Sequence, residues 1–199
     1  RLDGCSVVVD VGANIGAFAV PLTRDTGARV IAVEPVSSTF ALLNDNVRRN
    51  RVQNTVTTVR SALGSTAGEA VVTTDSQSAN YLLHDRASAR AGEEHVGVTT
   101  LDALVADEPR IDLIKVDVEG LELEVMRGAQ VTLARHAPAV LLELEARWTR
   151  RYGYEPRELI AFMMQFGYSY ELVTPDGLAA PTTLADDLRR ANNLLFTGG

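Results

Sequence analysis

The segment SVVVDVGANIG, residues 6–16, decides the fold because it joins a buried strand to a tight glycine turn. Residues 6–11 form a β-branched run without polar alternation, which is typical of a central parallel strand buried on both faces. Gly12 and Gly16 permit a tight turn and let the backbone approach a ligand closely. With a helix expected from Gly16 to Arg24, this segment predicts the first strand–turn–helix unit of a parallel sheet.

The rest of the chain alternates short apolar runs with amphipathic segments, as in a layered α/β fold. Seven strands are predicted, at Ser6–Val11, Arg29–Glu34, Thr55–Val59, Ile111–Val118, Ala139–Leu144, Tyr168–Val173 and Asn193–Thr197. Later helices are predicted after the N-caps Ser37 and Ser38, from Leu121 to His136, and between Pro156 and Gly167. The segment Gly64–Gly97 breaks the pattern, and we expect a hairpin or an irregular insertion there.

The last two predicted strands have no long helix between them, so we expect them to pair as an antiparallel hairpin. The sequence therefore predicts a doubly wound, Rossmann-like sheet of seven mostly parallel strands, with helices on both faces. Among nucleotide-binding α/β folds, such a terminal hairpin is typical of class I methyltransferases. We expect residues 1–199 to form a single domain. The first strand begins close to Arg1, which is what a domain excised from a longer chain would show.

The composition excludes several classes of protein. The 19 Lys+Arg and 26 Asp+Glu residues give a net charge of −7, which disfavours a polyanionic partner such as nucleic acid. The single cysteine, Cys5, permits neither an internal disulfide nor a zinc site made of thiolates. No apolar run approaches the about 20 residues of a membrane span, and no leader opens the chain. We therefore expect a cytoplasmic protein without nucleic-acid or membrane partners.

An acidic residue after the second strand points to a cofactor. Glu34 comes 18 residues after Gly16, where a carboxylate can accept both hydroxyl groups of a ribose, and we expect free N–H groups at the preceding helix N-terminus. Asn14 stands where the second glycine of the dinucleotide fingerprint would fall. Asp10 would oppose a pyrophosphate but suits the ammonium of a methionine group, so S-adenosylmethionine fits better than NAD. An ordinary strand-to-helix turn, capped by Asn14, is the alternative.

Three further residues extend the predicted cofactor site. Pro35 directly follows Glu34 at the same edge of the sheet. Ser61 and Ala62 follow the third strand, where such folds contact the adenine edge through a backbone N–H and a small side chain. A plain loop leading to Gly64 explains these two residues equally well.

The fourth strand, within the stretch IDLIKVDVEGLE at residues 111–122, brings Asp117 and Glu119 to the edge where the transferred methyl group should point. Either carboxylate could accept a hydroxyl proton, bind a cation or hold the substrate. We also expect Asp117 to contact the cofactor. Lys115 lies in an apolar run and requires a partner, for which these acids are the candidates. Glu122 fits the simpler role of an acid at a helix N-terminus.

At this point the sequence resembles the FkbM family of S-adenosylmethionine-dependent methyltransferases. The resemblance covers nearly the whole chain, at Val7–Val20, Val30–Val47, Thr99–Leu104, Ile111–Ala129, Pro138–Glu145 and Asn193–Phe196. The segment KVDVEG within Ile111–Ala129 is its most specific part. The resemblance to this family implies that the cofactor is contacted by Asp10, Gly12, Asn14, Gly16 and Glu34.

The resemblance also implies methyl transfer to a hydroxyl group of a sugar or a secondary metabolite. Asp117 or Glu119 would remove or orient the hydroxyl proton, which requires a raised carboxyl pKa or a metal. Residues 117–120 lack the Asn/Asp-Pro-Pro-aromatic motif of enzymes that methylate amino groups of nucleic acids, which supports oxygen as the acceptor. Gly64–Gly97 and Arg147–Pro156 match weakly, and we expect substrate choice to lie there.

Several alternatives stay open. Mg²⁺ could be held by Asp117 with Glu143 or Glu145, although we assign no metal-binding residues. No histidine pair has the i, i+4 ligand spacing among His84, His95 and His136. A nicotinamide-dependent oxidoreductase is the second enzyme class, and a non-catalytic cofactor-binding module of a larger protein is the third reading. A homodimer is compatible with the sequence.

Overall fold

The computed structural model of the chain describes residues 1–74, 82–83 and 92–199. Twelve strands lie in these residues, namely β1 (Val7–Val11), β2 (Arg29–Val33), β3 (Val56–Val59), β4 (Ala62–Leu63), β5 (Gly68–Thr73), β6 (Leu82–Leu83), β7 (Glu93–Thr99), β8 (Leu113–Val116), β9 (Ala139–Glu143), β10 (Tyr168–Thr174), β11 (Gly177–Ala179) and β12 (Asn193–Gly198). The α-helices described are α1 (Ala19–Thr26), α2 (Ser37–Arg49), α3 (Leu101–Leu104), α4 (Glu122–Arg127), α5 (Gln130–His136), α6 (Ala146–Thr149), α7 (Pro156–Gln165) and α8 (Leu184–Arg190). A short 3₁₀ helix, Arg150–Tyr152, follows α6.

Eight strands form one mixed sheet in the order β11-β10-β12-β9-β8-β1-β2-β3. The strands from β9 to β3 in that order are parallel to their neighbours. β12 runs antiparallel to both β9 and β10, and β11 runs antiparallel to β10. Because the parallel strands share one direction, their carboxyl ends meet at one edge, which is where ligands bind in open α/β sheets.

The side chains of β1 alternate between two hydrophobic cores. Val9 belongs to a core with Leu133 of α5 and Leu159 of α7. Val8 belongs to a second core with Leu43 of α2. Since successive strand residues point to opposite faces, helices cover both faces of the sheet, and the predicted Rossmann-like architecture is confirmed.

The carboxyl-terminal part differs from the prediction in its connections. β10 and β12 are antiparallel neighbours, as predicted, but they are not joined as a simple hairpin. After β10 the chain turns back into β11, which becomes an eighth strand at the edge of the sheet. Only then does α8 lead into β12. The short strand β11 carries little sequence signal because it has only three residues.

Three helices also begin at positions other than those predicted. The helix predicted from Leu121 to His136 is two helices, because Asp102 accepts hydrogen bonds from the N–H groups at 131 and 132 and so starts α5 afresh. The prediction that serines cap α2 is wrong, since Val36 precedes this helix and makes no side-chain cap. The first helix begins at Ala19 because residues 14–18 form turns.

The expected insertion contains part of a second, smaller sheet, in the order β4-β7-β5-β6. β5 and β7 are antiparallel, and β4 pairs in parallel with β7. The segment therefore forms most of a small sheet, where we expected a hairpin or an irregular insertion. Residues 75–81 and 84–91, which include His84, lie outside the described part of the chain.

Candidate active site

A cleft of about 750 Å³, its open mouth included, lies at the carboxyl edge of β1, β2 and β8. Its lining consists of Val11, Gly12, Asn14, Val33, Glu34, Pro35, Val36, Thr39, Ser61, Ala62, Leu63, Val72, Asp117, Val118, Glu119 and Leu121. All residues predicted for the cofactor and for catalysis line this cleft except Asp10 and Gly16. The structure thus brings residues from four separate parts of the sequence to one edge of the sheet.

The glycine turn after β1 uses its own N–H groups within the protein. Gly12 and Ala13 both donate to the carbonyl oxygen of Val33, at 3.0 and 2.9 Å. Further along the turn, Asn14 donates to Glu34 Oε2 at 3.0 Å, and Gly16 donates to the Ala13 carbonyl at 2.8 Å. The Ile15 N–H donates to the Asn14 side chain. The N–H groups of residues 12–16 therefore all have acceptors within the protein and are not free for a phosphate.

Glu34 connects the turns that follow β1 and β2. Its Oε2 accepts from the Asn14 N–H, and its Oε1 accepts from the Val36 N–H, both at 3.0 Å. Burial raises the pKa of the Glu34 carboxyl, and the two N–H bonds oppose that rise. Since a carboxylate has about four acceptor positions, both oxygens keep acceptor capacity toward the cleft. This is the arrangement needed to accept two vicinal hydroxyl groups.

Asp10 and Gly16 do not line the cleft, and their contacts lie within the protein. Asp10 is fully buried, and its Oδ1 lies 3.4 Å from Nζ of Lys115, its neighbour across the β1–β8 pair. A Cβ added at Gly16 would lie 2.9 Å from Leu43 Cδ1, so this glycine allows the turn to pack against α2. Neither residue is among those that line the cleft.

Lys115 is mostly buried and has two acidic partners. Its Nζ lies 3.2 Å from Asp117 Oδ2 as well as 3.4 Å from Asp10. Burial alone would lower the pKa of Lys115, but the charges of Asp10 and Asp117 outweigh it and raise the pKa. The ammonium group therefore stays charged and holds the Asp117 carboxylate at the base of the cleft.

Glu119 occupies a strained turn beside the cleft. Its φ of +53° is in the left-handed region, which costs a residue with a side chain about 1 kcal/mol. Burial, followed by the negative charges of Asp117 and Glu145, raises the pKa of Glu119 to about 7. A carboxyl group with such a pKa is a useful proton acceptor near neutral pH.

A second carboxyl group with a similar pKa lies at the end of the neighbouring strand. Burial and a hydrogen bond with Asp117 raise the pKa of Glu143 to about 7. Asn192 donates to both Glu143 and Glu145, at 2.8 and 3.1 Å, and so holds the two acids side by side. The sequence indicates that Glu143 and Glu145 lie near Asp117, because Glu143 ends a strand that runs parallel to β8.

The expectation that Glu122 merely decorates a helix N-terminus is wrong. Glu122 is only 2% exposed, and its Oε1 accepts from the Gly120 N–H at 2.9 Å. The Tyr154 hydroxyl donates to its Oε2, also at 2.9 Å. A Cβ at Gly120 would lie 2.6 Å from the Trp148 carbonyl oxygen, so the segment after β9 packs directly on this turn. Glu122 and Tyr154 together fix the backbone that presents Glu119. The hydrogen bond between them joins residues that are 32 positions apart, so no local sequence pattern predicts it.

Replacing Tyr154 by phenylalanine should lower the free energy of unfolding by about 2 kcal/mol, because Glu122 Oε2 loses its donor inside the protein. Urea unfolding, followed by the fluorescence of the single tryptophan, measures the change. Tyr170→Phe is the matched control, since Asp187 keeps its hydrogen bonds from Thr182 when the Tyr170 hydroxyl is removed. Equal losses in the two variants would contradict a special role for Tyr154.

The described residues contain no group of three or more His, Cys, Asp or Glu side chains arranged to hold a metal ion. In the same part of the chain, no helix is both long and apolar enough to cross a bilayer.

The chain is similar in sequence to known methyltransferases. A family model described as Methyltransferase FkbM domain matches residues 10–170. The hexuronic acid methyltransferase AglP of Haloferax volcanii is 30% identical over 168 residues, which are 83% of this chain and 64% of that protein. The chain spans less than two thirds of the length of the curated relatives that it matches.

Two solved structures resemble the fold at low sequence identity. A methyltransferase FkbM from Methylobacillus flagellatus aligns with a TM-score of 0.67 at 20% identity, over 99% of this chain and 44% of that one. Aeropyrum pernix fibrillarin, solved with natively bound S-adenosylmethionine, aligns with a TM-score of 0.54 at 14% identity, over 98% and 67% of the two chains. The fold is therefore the Rossmann-like fold of methyltransferases.

Proposed function

This chain belongs to the FkbM methyltransferase family, and on that premise we propose that it transfers a methyl group from S-adenosylmethionine to a hydroxyl group of a small molecule. The observation that carries the proposal is the hydrogen bonding of the turn after β1. Every N–H group from Gly12 to Gly16 has an acceptor within the protein, so these five groups are not available to the pyrophosphate of a dinucleotide. S-adenosylmethionine has no phosphate and does not need these N–H groups.

The residues of the cleft fit such a cofactor. Glu34 would accept the ribose hydroxyl groups with the acceptor positions that its two N–H bonds leave open. Ser61, Ala62 and Val36 would surround the adenine, and Gly12 and Asn14 would lie against the methionine part. When bound, the cofactor supplies an electrophilic methyl group whose bond to sulfur breaks as the new bond to oxygen forms, which leaves S-adenosylhomocysteine.

The carboxylates at the end of β8 would handle the proton of the acceptor. Glu119 accepts the proton that the hydroxyl group loses as its oxygen is methylated, and its raised pKa makes it a stronger base than an ordinary carboxylate. Asp117, fixed by Lys115, would orient the hydroxyl group in line with the methyl group. Much of the rate should come from this positioning.

The acceptor that we propose is a sugar or a secondary metabolite. The named substrate of the archaeal relative, a hexuronic acid, is a sugar derivative with several hydroxyl groups. That relative is matched over only part of its length, so the comparison supports a class of acceptor and no single compound. A panel that contains glucuronic acid and a neutral methyl glucoside is the first acceptor screen.

Calorimetric titration with S-adenosylhomocysteine tests the proposal, and NADH is the parallel ligand. We expect micromolar binding of S-adenosylhomocysteine and no binding of NADH, because the N–H groups of residues 12–16 are already bonded within the protein. Added Mg²⁺ should leave the affinity unchanged. Binding of NADH instead would favour the oxidoreductase, and cofactor binding without methyl transfer to any acceptor would favour the non-catalytic module.

A further inference from the structure

The small sheet packs directly against one end of the cleft. Only Arg60 and Ser61 separate β3 from β4, so the chain passes at this corner from the large sheet into the small one. The side chains of Ala62 and Val72 line the cleft and pack in one hydrophobic cluster with Val36, which precedes α2. The wall of the cleft at this end is therefore built jointly by the two sheets.

Polar contacts hold the small sheet in this position. The Ser37 N–H donates to Glu94 Oε1 at 2.5 Å, and the Ser37 hydroxyl donates to Glu94 Oε2 at 2.6 Å. Arg60 lies 3.9 Å from the same carboxylate. The Ser61 hydroxyl donates to the Gly97 carbonyl at 3.0 Å. β7 is thus fastened both to the first turn of α2 and to the corner after β3.

The position of this wall indicates what it would contact. Glu34 lies two residues before Val36, so a base attached to a ribose at Glu34 extends toward Val36, Ala62 and Val72. These side chains are apolar and line the cleft, as a wall against the face of a purine requires. The carboxylates Asp117 and Glu119 come from a different strand end and would face the other end of the cofactor.

We propose that β5 and β7 form part of the adenine site, with Val72 contacting the base and Glu94 acting as the positioning residue that holds this wall against α2. The inference rests on the proposed function and deepens it. It also changes the role of Gly64–Gly97, because we expected this segment to set the choice of acceptor. Its described strands serve the cofactor instead.

The test compares the dissociation constants of S-adenosylhomocysteine and of adenosine for the unaltered chain and three variants. Glu94→Ala should weaken both ligands by the same factor, about tenfold, since two hydrogen bonds to a carboxylate are lost. Glu94→Gln should lose about threefold, because its amide oxygen can still accept from the Ser37 N–H. Glu69→Ala, an exposed acid on β5 of the same sheet, is the matched control and should stay within about twofold.

The equal loss for the two ligands separates positioning of the base wall from general loosening of the site. If Glu94→Ala does not fold, as judged by its circular dichroism and melting curve, Glu94→Gln is compared with the unaltered chain in its place. A variant that binds both ligands like the unaltered chain, or that weakens S-adenosylhomocysteine alone, overturns the inference and leaves the proposed function standing. Failure of the unaltered chain to bind either ligand overturns both.

Discussion

Replacing Gly12 by alanine should abolish binding of S-adenosylhomocysteine and lower the free energy of unfolding by at least about 3 kcal/mol. A Cβ at this position would lie 2.0 Å from the carbonyl oxygen of Asp117 and 3.0 Å from its carbonyl carbon. Both are backbone atoms, so the clash cannot be relieved by rotating a side chain. The turn after β1 and the end of β8 would have to move apart, and with them the two walls of the cleft.

Gly153→Ala is the matched control for this variant. Gly153 has a φ of +76°, nearly the same as the +77° of Gly12, but no atom lies within 4 Å of its added Cβ. It should therefore lose only about 1 kcal/mol, the cost of the left-handed conformation. Urea unfolding and calorimetry on both variants give the comparison. Similar losses for the two would mean that backbone conformation, and not the contact with Asp117, makes Gly12 necessary.

Replacing Glu119 by glutamine should lower the rate of methyl transfer by about 100-fold and leave the affinity for S-adenosylhomocysteine unchanged. In the unaltered chain, the base must be ionised, and the pKa of Glu119 is about 7. The rate should therefore rise about tenfold per pH unit below pH 7 and become constant above it. In Glu119→Gln this dependence should disappear. Formation of S-adenosylhomocysteine with an accepted sugar, measured across pH, provides the test.

Other charged groups around Glu119 complicate its titration and provide the controls. Asp117 and Glu145 raise its pKa, and Arg147 lowers it. Glu143, with its own pKa of about 7, would produce a similar pH profile. If Glu143→Gln loses the rate and the pH dependence while Glu119→Gln keeps them, Glu143 is the base and our assignment is wrong. Glu124→Gln, a half-buried acid on α4 that pairs with Arg127, should leave the profile as it is.

Local sequence patterns were enough to place most of the cleft. Strand ends in a parallel sheet meet at one edge, so the run before Gly12, the acid Glu34 and the pair Asp117 and Glu119 had to converge once their strands were recognised. Asp10, by contrast, is buried and does not line the cleft. Only the alignment of β1 with β8 shows that Lys115 lies opposite it.

Contacts between distant segments could not be predicted in this way. Glu122 looks like a surface acid in the sequence, and it is buried because Tyr154, 32 residues later, folds back over it. Glu94 and Ser37 are 57 residues apart, and no spacing rule connects them. Val72 lines the cleft because β5, the strand that carries it, packs on Val36.

The sequence by itself determined the order of the parallel strands of the large sheet, the edge at which we propose that the cofactor binds, and the chemical types of the residues there. These follow from side-chain periodicity and from the backbone freedom of glycine, which are local properties. The tertiary structure alone decided which carboxyl groups are buried against one another and so acquire a pKa near 7. It also decided that the N–H groups of residues 12–16 have acceptors within the protein, because hydrogen-bond partners depend on the packing of the whole chain.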